Sequence, residues 1–360
     1  MIRFIPTRRQ FLGYGAAAGL ATPFLSRASF AQGAYAGQEF LVSLPDAANE
    51  KIVIDHVAPL MAERYGISLK TQQASSSKVL SSMRVQRRNP PALVVTLDLS
   101  YAIQALDEGL ADPVSVDAVP NLSDVVPQAT AMDGQLVSFI LSTDTLVYNK
   151  DKWPTAPTSY AEMFTPERLP TTGIGSPSTN VGIEFLAAAS SAATGKPISE
   201  AMHELKAGVE YLGQFRDQIR VVYSRAQEVM PMLASGDVNS CFVKSRFLAD
   251  WIAREAPVDA VIPKEGAFYS LNCLVPVKGV RAPEMAMAYI DIMLSPEIQA
   301  MFPTAIGSAA VNRNANATIP PELANIVPTL ADIDKLSLLP VLTQTEMEEL
   351  NTLFNQVVAK

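Results

Sequence analysis

Short apolar runs alternate with amphipathic stretches along most of this chain. The segments 37–45, 67–73 and 92–98 have the composition of strands, and each is followed by a stretch with the apolar period of a helix. The last of these strands, ALVVTLD, is apolar almost throughout, as is typical of a strand buried on both faces. The alternation predicts an α/β fold with largely parallel sheets.

The length of the chain predicts two lobes. Its 360 residues exceed what one hydrophobic core usually supports. The long β-rich segment at 136–150 predicts a first crossover between lobes, and the apolar segment at 268–276 predicts the return. We expect a first lobe over 37–142 and a second over 143–270. The remainder, 271–360, is expected to contribute partly to the first lobe and to supply C-terminal helices that pack on the lobes.

The N-terminus has the pattern of an export signal. Arg8 and Arg9 precede a weakly apolar run over 13–25 and a small-residue site that ends at Ala31. The run is shorter than the roughly 20 residues that span a bilayer. The pattern predicts a twin-arginine signal peptide over 1–31 and a mature protein in the periplasm. An ordinary secretory signal is the alternative, and it leads to the same compartment.

The composition is acidic. The chain has 28 basic and 36 acidic residues, a net charge of -8. Removal of the signal, which holds four arginines and no acidic residue, lowers the net charge to -12. Such a surface repels nucleic acid and anionic membranes. We expect a monomeric globular protein without a nucleic-acid partner.

Residues that could form a disulfide or a metal site are few. Cys241 and Cys273 are the only cysteines, and an exported compartment allows them to pair. Both lie in apolar strand-like runs, so two separately buried thiols are the alternative. The only histidines, His56 and His203, lie apart on predicted amphipathic helices, so no metal site and no cofactor is expected.

Polar residues between predicted strands and helices mark a candidate ligand site. In open α/β sheets, ligands bind beyond the carboxyl ends of strands, where loops lead into helix N-termini. Asp98 ends a strand and could pair with a ligand ammonium, whereas Lys244 could supply positive charge to an anion or be a surface lysine. The other candidates are side chains at predicted helix starts: Ser75, Ser76, Ser77, Ser178, Thr179, Asn180, Tyr223 and Ser224. Simple helix capping is the alternative role for the hydroxyl groups and for Asp98.

Residues 233–268, LASGDVNSCFVKSRFLADWIAREAPVDAVIPKEGAF, resemble a segment of the periplasmic receptors of ABC importers for spermidine, putrescine and iron. In that family a helix, a Gly-Asp/Glu-Val turn, a strand, a helix and Pro-Lys-Glu-Gly follow in this order. The resemblance extends over essentially the whole mature chain. It implies a type II periplasmic binding protein: two mainly parallel α/β lobes, joined by two crossover strands that act as a hinge. It also implies delivery of a small ligand from the interlobe cleft to a membrane permease.

The resemblance also bears on the ligand. Tyr269 occupies the place of an aromatic residue that stacks on the ligand in polyamine receptors. Two residues later those receptors carry an aspartate, whereas this chain has Leu271, and acidic residues expected at the second-lobe helix start are replaced by the neutral run 178–182. A dication needs buried carboxylates to offset its desolvation. We therefore expect an anionic or zwitterionic solute, such as an amino-carboxylate or aminophosphonate; a polyamine and ferric iron are the alternatives.

A periplasmic enzyme exported by the twin-arginine route is the alternative from a different class. The sequence contains no G-x-S-x-G, H-E-x-x-H or phosphate-loop motif. Neither histidine belongs to a recognisable catalytic constellation. The sequence therefore favours a binding protein over an enzyme.

Overall fold

The computed structural model describes residues 34–358, so the predicted signal peptide lies outside the described residues. Its strands are β1 (Glu39–Leu44), β2 (Ser68–Gln73), β3 (Ala92–Asp98), β4 (Thr130–Ala131), β5 (Leu136–Asn149), β6 (Gly173–Gly175), β7 (Val221–Tyr223), β8 (Ser240–Lys244), β9 (Val258–Val261), β10 (Ala267–Pro276) and β11 (Leu336–Leu338). Its α-helices are α1 (Ala47–Ile52), α2 (Ala58–Tyr65), α3 (Ser76–Gln86), α4 (Leu99–Asp107), α5 (Asn180–Thr194), α6 (Ile198–Ala201), α7 (Leu205–Gly213), α8 (Ala226–Ser235), α9 (Ala249–Ile252), α10 (Pro283–Met293), α11 (Pro296–Gln299), α12 (Phe302–Ile306), α13 (Leu330–Ile333) and α14 (Gln344–Val357). A π-helical turn, Val53–Val57, joins α1 to α2, and 3-10 turns cover Pro120–Asp124, Pro127–Ala129, Tyr160–Met163, Leu169–Thr171, Ser245–Leu248 and Pro321–Leu323.

The first part of the chain forms the βαβαβ unit that the sequence predicts. β1 lies between β2 and β3 and pairs with both in parallel. The apolar run 92–98 is strand β3, and all its residues are buried except the half-buried Asp98 at its carboxyl end. The predicted candidate Asp98 is therefore held at the edge where parallel strands end and ligands bind in open α/β sheets.

Two long strands, β5 and β10, form the centre of the molecule. They pair antiparallel from Phe268 opposite Asp144 to Leu274 opposite Val137. β10 also pairs antiparallel with β3, and β8 and β9 pair antiparallel with β5. The two predicted crossovers are thus neighbours in one nine-stranded sheet. This sheet is mixed, because β10 runs antiparallel to β3 and β5, and β5 runs antiparallel to β8 and β9, whereas β1 pairs in parallel with β2 and β3.

Two hydrophobic cores cover the sheet and its helices. The larger core includes Val42 of β1, Leu97 of β3 and Ile290 of α10. The second core is built from α5, α7 and the C-terminal helix α14, with Phe185 and Phe354 among its buried side chains. The C-terminal tail therefore packs on the second half of the chain.

The amphipathic stretch 199–215 has the apolar pattern of one helix but forms two, α6 and α7. A Cβ atom on Gly208 of α7 would lie 2.1 Å from the carbonyl oxygen of Leu186 in α5. Only glycine permits so close an approach of α7 to α5. The stretch 245–256 likewise forms no long helix but a 3-10 turn followed by the single turn α9.

The two cysteines do not form a disulfide. Cys241 and Cys273 are both buried and free, so the thiols are separate. Among residues 34–358, no helix has the length and apolar character needed to cross a membrane.

Candidate functional site

A cavity of about 660 Å³ opens where β3, β5, β8 and β10 meet the start of α5. Its volume is in the range that holds small organic ligands. Polar and charged groups come from these elements, and an apolar wall comes from the segment around β11 and α14. The cavity is lined by Asp98, Leu99, Ser100, Tyr101, Gln104, Asp144, Ser178, Thr179, Asn180, Ile183, Glu184, Lys244, Tyr269, Ser270, Leu271, Leu338, Leu339, Pro340, Val341, Leu342 and Met347.

Asp98 is fixed at one side of the cavity by neighbouring donors. Its carboxylate accepts hydrogen bonds from the hydroxyl of Ser76 at 2.9 Å and from the side-chain amide of Asn272 at 2.9 Å. The Lys244 ammonium lies 3.5 Å away. Burial raises the pKa of Asp98, but the charge of Lys244 and the Ser76 hydrogen bond outweigh it and hold that pKa below its ordinary value. Asp98 is therefore an ionised group whose charge Lys244 largely balances.

Asp144 and Glu184 form a second acidic group deeper in the cavity. Both side chains are almost fully buried, at 2% and 1% exposure. Burial raises the pKa of Asp144, although Lys244, its cross-strand neighbour, opposes the shift. Burial and the adjacent Asp144 raise the pKa of Glu184 well above its ordinary value. Two carboxyl groups this close share a proton, because both cannot be ionised together at low cost.

The hydrogen bonding of this pair is incomplete. Ser270 donates to Asp144 at 3.3 Å. The Oε2 atom of Glu184 is buried with no hydrogen-bond partner. Glu184 belongs to the cavity wall, and its buried Oε2 atom lacks the donor that buried polar groups usually have.

The start of helix α5 forms the adjoining wall. The Thr179 hydroxyl donates to the Ser176 carbonyl at 2.8 Å and accepts from the Gly182 backbone N–H at 3.3 Å, so it caps the helix. Gly182 lets the preceding loop fold tightly, since a Cβ atom there would lie 1.9 Å from the Ser176 carbonyl oxygen. Ser178 donates to Asn351 of α14 at 2.9 Å. These contacts fix where the helix, and with it Glu184, faces the cavity.

The structure brings six of the eleven predicted site residues into the cavity wall. They are Asp98, Ser178, Thr179, Asn180, Lys244 and Tyr269.

The five remaining candidates lie outside the wall. The Ser76 hydroxyl donates a hydrogen bond to the Asp98 carboxylate and accepts one from the Asp98 backbone N–H, so Ser76 holds Asp98 in position. Ser75 and Ser77 are exposed and pair with each other at 3.3 Å. The Tyr223 hydroxyl is buried and bonded to the backbone of Phe242, which makes it a packing contact.

Ser224 is the last of these five. It is exposed, and its backbone N–H donates to Glu228 at 2.9 Å at the start of α8. Glu228 also accepts from the Arg225 backbone N–H at 3.3 Å and from the Arg225 guanidinium at 2.8 Å, so Glu228 and not the Ser224 hydroxyl satisfies the donors at this helix start.

Asp144 and Glu184 are the functional candidates that the sequence reasoning missed. Each is the only charged residue in an otherwise uncharged element, β5 and α5 respectively. A single carboxylate in a buried strand or helix costs free energy unless something binds it. That signal was present in the sequence and could have identified both.

No metal centre accompanies these carboxylates in the described part of the chain. Residues 34–358 contain no group of three or more His, Cys, Asp or Glu side chains arranged to hold a metal ion.

Comparison with known families adds an independent finding. The sequence model of the family described as bacterial extracellular solute-binding protein matches residues 56–328, most of the chain. This is a family of transport receptors and not of enzymes.

Individual relatives agree with the family match. The spermidine/putrescine-binding periplasmic protein of Escherichia coli (strain K12) is 27% identical over 131 residues, which cover 32% of this chain and 37% of that protein. The chain thus spans about a third of the length of this curated relative.

Solved structures show that the similarity of fold extends further. The spermidine/putrescine substrate-binding protein PotD from Streptococcus pneumoniae strain Canada MDR_19A has a TM-score of 0.75 at 15% identity, covering 89% of this chain and 98% of that chain. A GABA receptor, Atu4243, has a TM-score of 0.69 at 18% identity, covering 88% and 96%. The two-lobed fold expected from the sequence is therefore confirmed.

Proposed function

We propose that this chain, which belongs to the family of bacterial extracellular solute-binding proteins, captures a small organic amine in the cavity between its lobes. The observation that carries the proposal is the buried pair Asp144 and Glu184, with its unpartnered carboxylate oxygen.

The charge balance of the cavity supports a cationic group on the ligand. Its charged side chains are three carboxylates and one lysine. Asp98 and the Asp144–Glu184 pair, which shares one proton, carry two negative charges against the single positive charge of Lys244, so one negative charge is left uncompensated. A ligand ammonium has three N–H donors and no acceptor, and it satisfies both the charge and the free oxygen.

This argument changes the sequence-based expectation about the ligand. The neutral run 178–182 and Leu271 suggested a cleft without buried carboxylates, and hence an anionic or zwitterionic solute. Glu184, two residues beyond that run, and Asp144 supply the carboxylates instead. An amino-carboxylate remains compatible through its ammonium group, whereas a purely anionic solute would be repelled. Spermidine, putrescine and GABA, named for the similar proteins, all carry amino groups.

The remaining steps of transport follow the family pattern. The twin-arginine signal directs the chain to the periplasm, where cleavage near Ala31 releases a monomer. The lobes, 37–142 and 143–270, close about β5 and β10 on the ligand. The closed form docks on the permease of an ABC importer, which takes up the amine as the lobes part.

Calorimetric titration of the mature chain, unfolded and refolded to remove carried ligand, tests this proposal. n-Butylamine and GABA are expected to bind, while butyrate, which lacks the amino group, is not. Asp144→Asn should weaken n-butylamine binding at least about 30-fold, since losing one partner of a buried charged pair costs roughly 2 kcal/mol or more.

Asp259→Asn is the matched control, because Asp259 lies on the adjacent strand β9 and outside the cavity wall. Its affinity for n-butylamine should stay unchanged. Equal affinity for butyrate and n-butylamine would refute the amine site.

A further inference from the structure

The segment 336–347, here called the C-terminal strap, forms a wall of the cavity with a chemistry unlike the rest. Its contributions to the wall are Leu338, Leu339, Pro340, Val341, Leu342 and Met347. All are apolar, whereas the four charged side chains of the cavity come from β3, β5, α5 and β8. The strap lies C-terminal to residues 56–328, so the family match does not assign it a role.

Both ends of the strap are fixed to the protein. At its N-terminal end, β11 pairs in parallel with the crossover strand β10, with Leu338 opposite Tyr269. At its C-terminal end, Thr343 caps α14 through a capping box with Glu346. Leu350 and Phe354 of α14 are buried in the second core. The strap is therefore a preformed wall, since neither end is free to leave.

Other protein atoms cover the strap only in part, and it faces the cavity. Residues 338–340 and Leu342 are only partly buried, and Val341 is 54% exposed. Exposed apolar surface in a concave site gains about 25 cal/mol for each Å² that a ligand removes from water. A run of five consecutive apolar residues at a cavity wall is suited to contact with hydrocarbon.

The sheet register gives the distance between the strap and the acidic pair. Asp144 of β5 is opposite Phe268 of β10, and Phe268 is opposite Ser337 of β11. Neighbouring strands lie about 4.8 Å apart, so the backbones of β5 and β11 are separated by about 10 Å. Strand side chains project out of the sheet, so this separation is the lateral offset between groups that the two strands carry. An ammonium group joined to a short hydrocarbon chain or to one aromatic ring has a length of this order.

We propose that the C-terminal strap selects amines with an apolar tail, so that the ligand is an amphiphilic monoamine and not a diamine. This inference rests on the amine site proposed above. The ammonium group binds Asp144 and Glu184, while the hydrocarbon tail lies against Tyr269 and the strap. A second ammonium at the tail end would lose its hydration against the apolar wall without gaining a partner there.

Titration of the refolded chain with a homologous series tests the inference. The probes are ethylamine, n-butylamine, n-hexylamine, 2-phenylethylamine and putrescine, which is the diamine counterpart of n-butylamine. Affinity should rise about fourfold for each added methylene, from about 0.8 kcal/mol per buried CH₂. n-Butylamine and 2-phenylethylamine should both bind more tightly than putrescine.

A substitution in the strap tests the contribution of the apolar wall to affinity separately from that of Asp144 and Glu184. Val341→Ser should lower n-hexylamine affinity several-fold and leave ethylamine affinity unchanged, because ethylamine does not reach the strap. Val222→Ser is the matched control, since Val222 is 51% exposed on β7 and lies outside the cavity wall. It should change neither affinity.

The possible results distinguish this inference from the proposed function. If no amine binds, or if Asp144→Asn leaves binding unchanged, the amine site itself fails. If amines bind but putrescine binds as well as n-butylamine, or Val341→Ser leaves the dependence on chain length intact, the strap does not select the ligand. The amine site would survive that second result.

Discussion

Glu184 lowers the stability of the ligand-free protein, a cost that amine binding offsets in the proposed function. It is the one charged side chain of α5, it is buried, and its Oε2 atom has no partner. Burial and Asp144 raise its pKa well above the ordinary value of 4.5. The folded chain therefore holds this proton more tightly than the unfolded chain does. Its contribution to stability is complete below about pH 4.5 and is lost as pH rises towards the raised pKa.

Glu184→Gln should accordingly stabilise the ligand-free protein while abolishing amine binding. We expect little change at pH 5, where Glu184 is protonated and glutamine is similarly polar, and a gain at pH 8 of about 1.4 kcal/mol for each unit by which folding raises the pKa. Thermal unfolding at both pH values measures this, with the exposed Glu322→Gln as the control. A gain of the same size at both pH values would contradict the raised pKa.

For individual residues, the sequence predicts some members of the candidate site and misplaces others. Asp98, Thr179 and Lys244 follow from their positions at strand ends and helix starts. Tyr223 fails that rule, because its strand β7 belongs to a separate two-stranded sheet and its hydroxyl is bonded inside the protein. Position along the chain indicates the edge of a sheet, but the direction of a side chain depends on packing that involves distant residues.

At the scale of elements, an ion pair ties the end of β1 to the residues after β8. Arg246 lies 2.8 Å from Asp46, and its side chain is only 11% exposed. Burial raises the pKa of Asp46, but Arg246 and the Asn49 backbone N–H outweigh burial and lower it. Asp46 also caps α1. The pair therefore joins two elements that are 200 residues apart.

Asp46→Asn should destabilise the fold although asparagine is an equally good helix cap. The variant leaves the largely buried Arg246 guanidinium without its carboxylate partner, and we expect a loss of about 1–3 kcal/mol. Urea unfolding measures the change. The control is Asp55→Asn in the neighbouring π-helical turn, where the pair with Lys51 is exposed and no measurable change is expected. Equal effects of the two substitutions would show that Asp46 acts only as a cap.

The whole molecule combines local order, which the sequence predicts well, with long-range pairing, which it does not. The α/β alternation and both crossovers follow from apolar periodicity and from the resemblance to solute-binding receptors. The antiparallel register of β5 with β10 joins residues more than 120 positions apart, so periodicity cannot specify it. The strap was missed for a related reason, since β11 has only three residues and gains its role by pairing with β10.

Closure about these two strands is the prediction for the molecule as a whole. A cavity of about 660 Å³ is much larger than a four-carbon amine, so walls on both sides can contact such a ligand only if the lobes approach each other. Small-angle scattering should show a smaller radius of gyration for the refolded chain with saturating n-butylamine than without it. Ligand at about 100 times its dissociation constant should also add about 2.7 kcal/mol to stability. The Asp144→Asn variant should show neither change at the same concentration. Stabilisation of the unaltered chain without contraction would mean that the amine binds one lobe of a cleft that stays open.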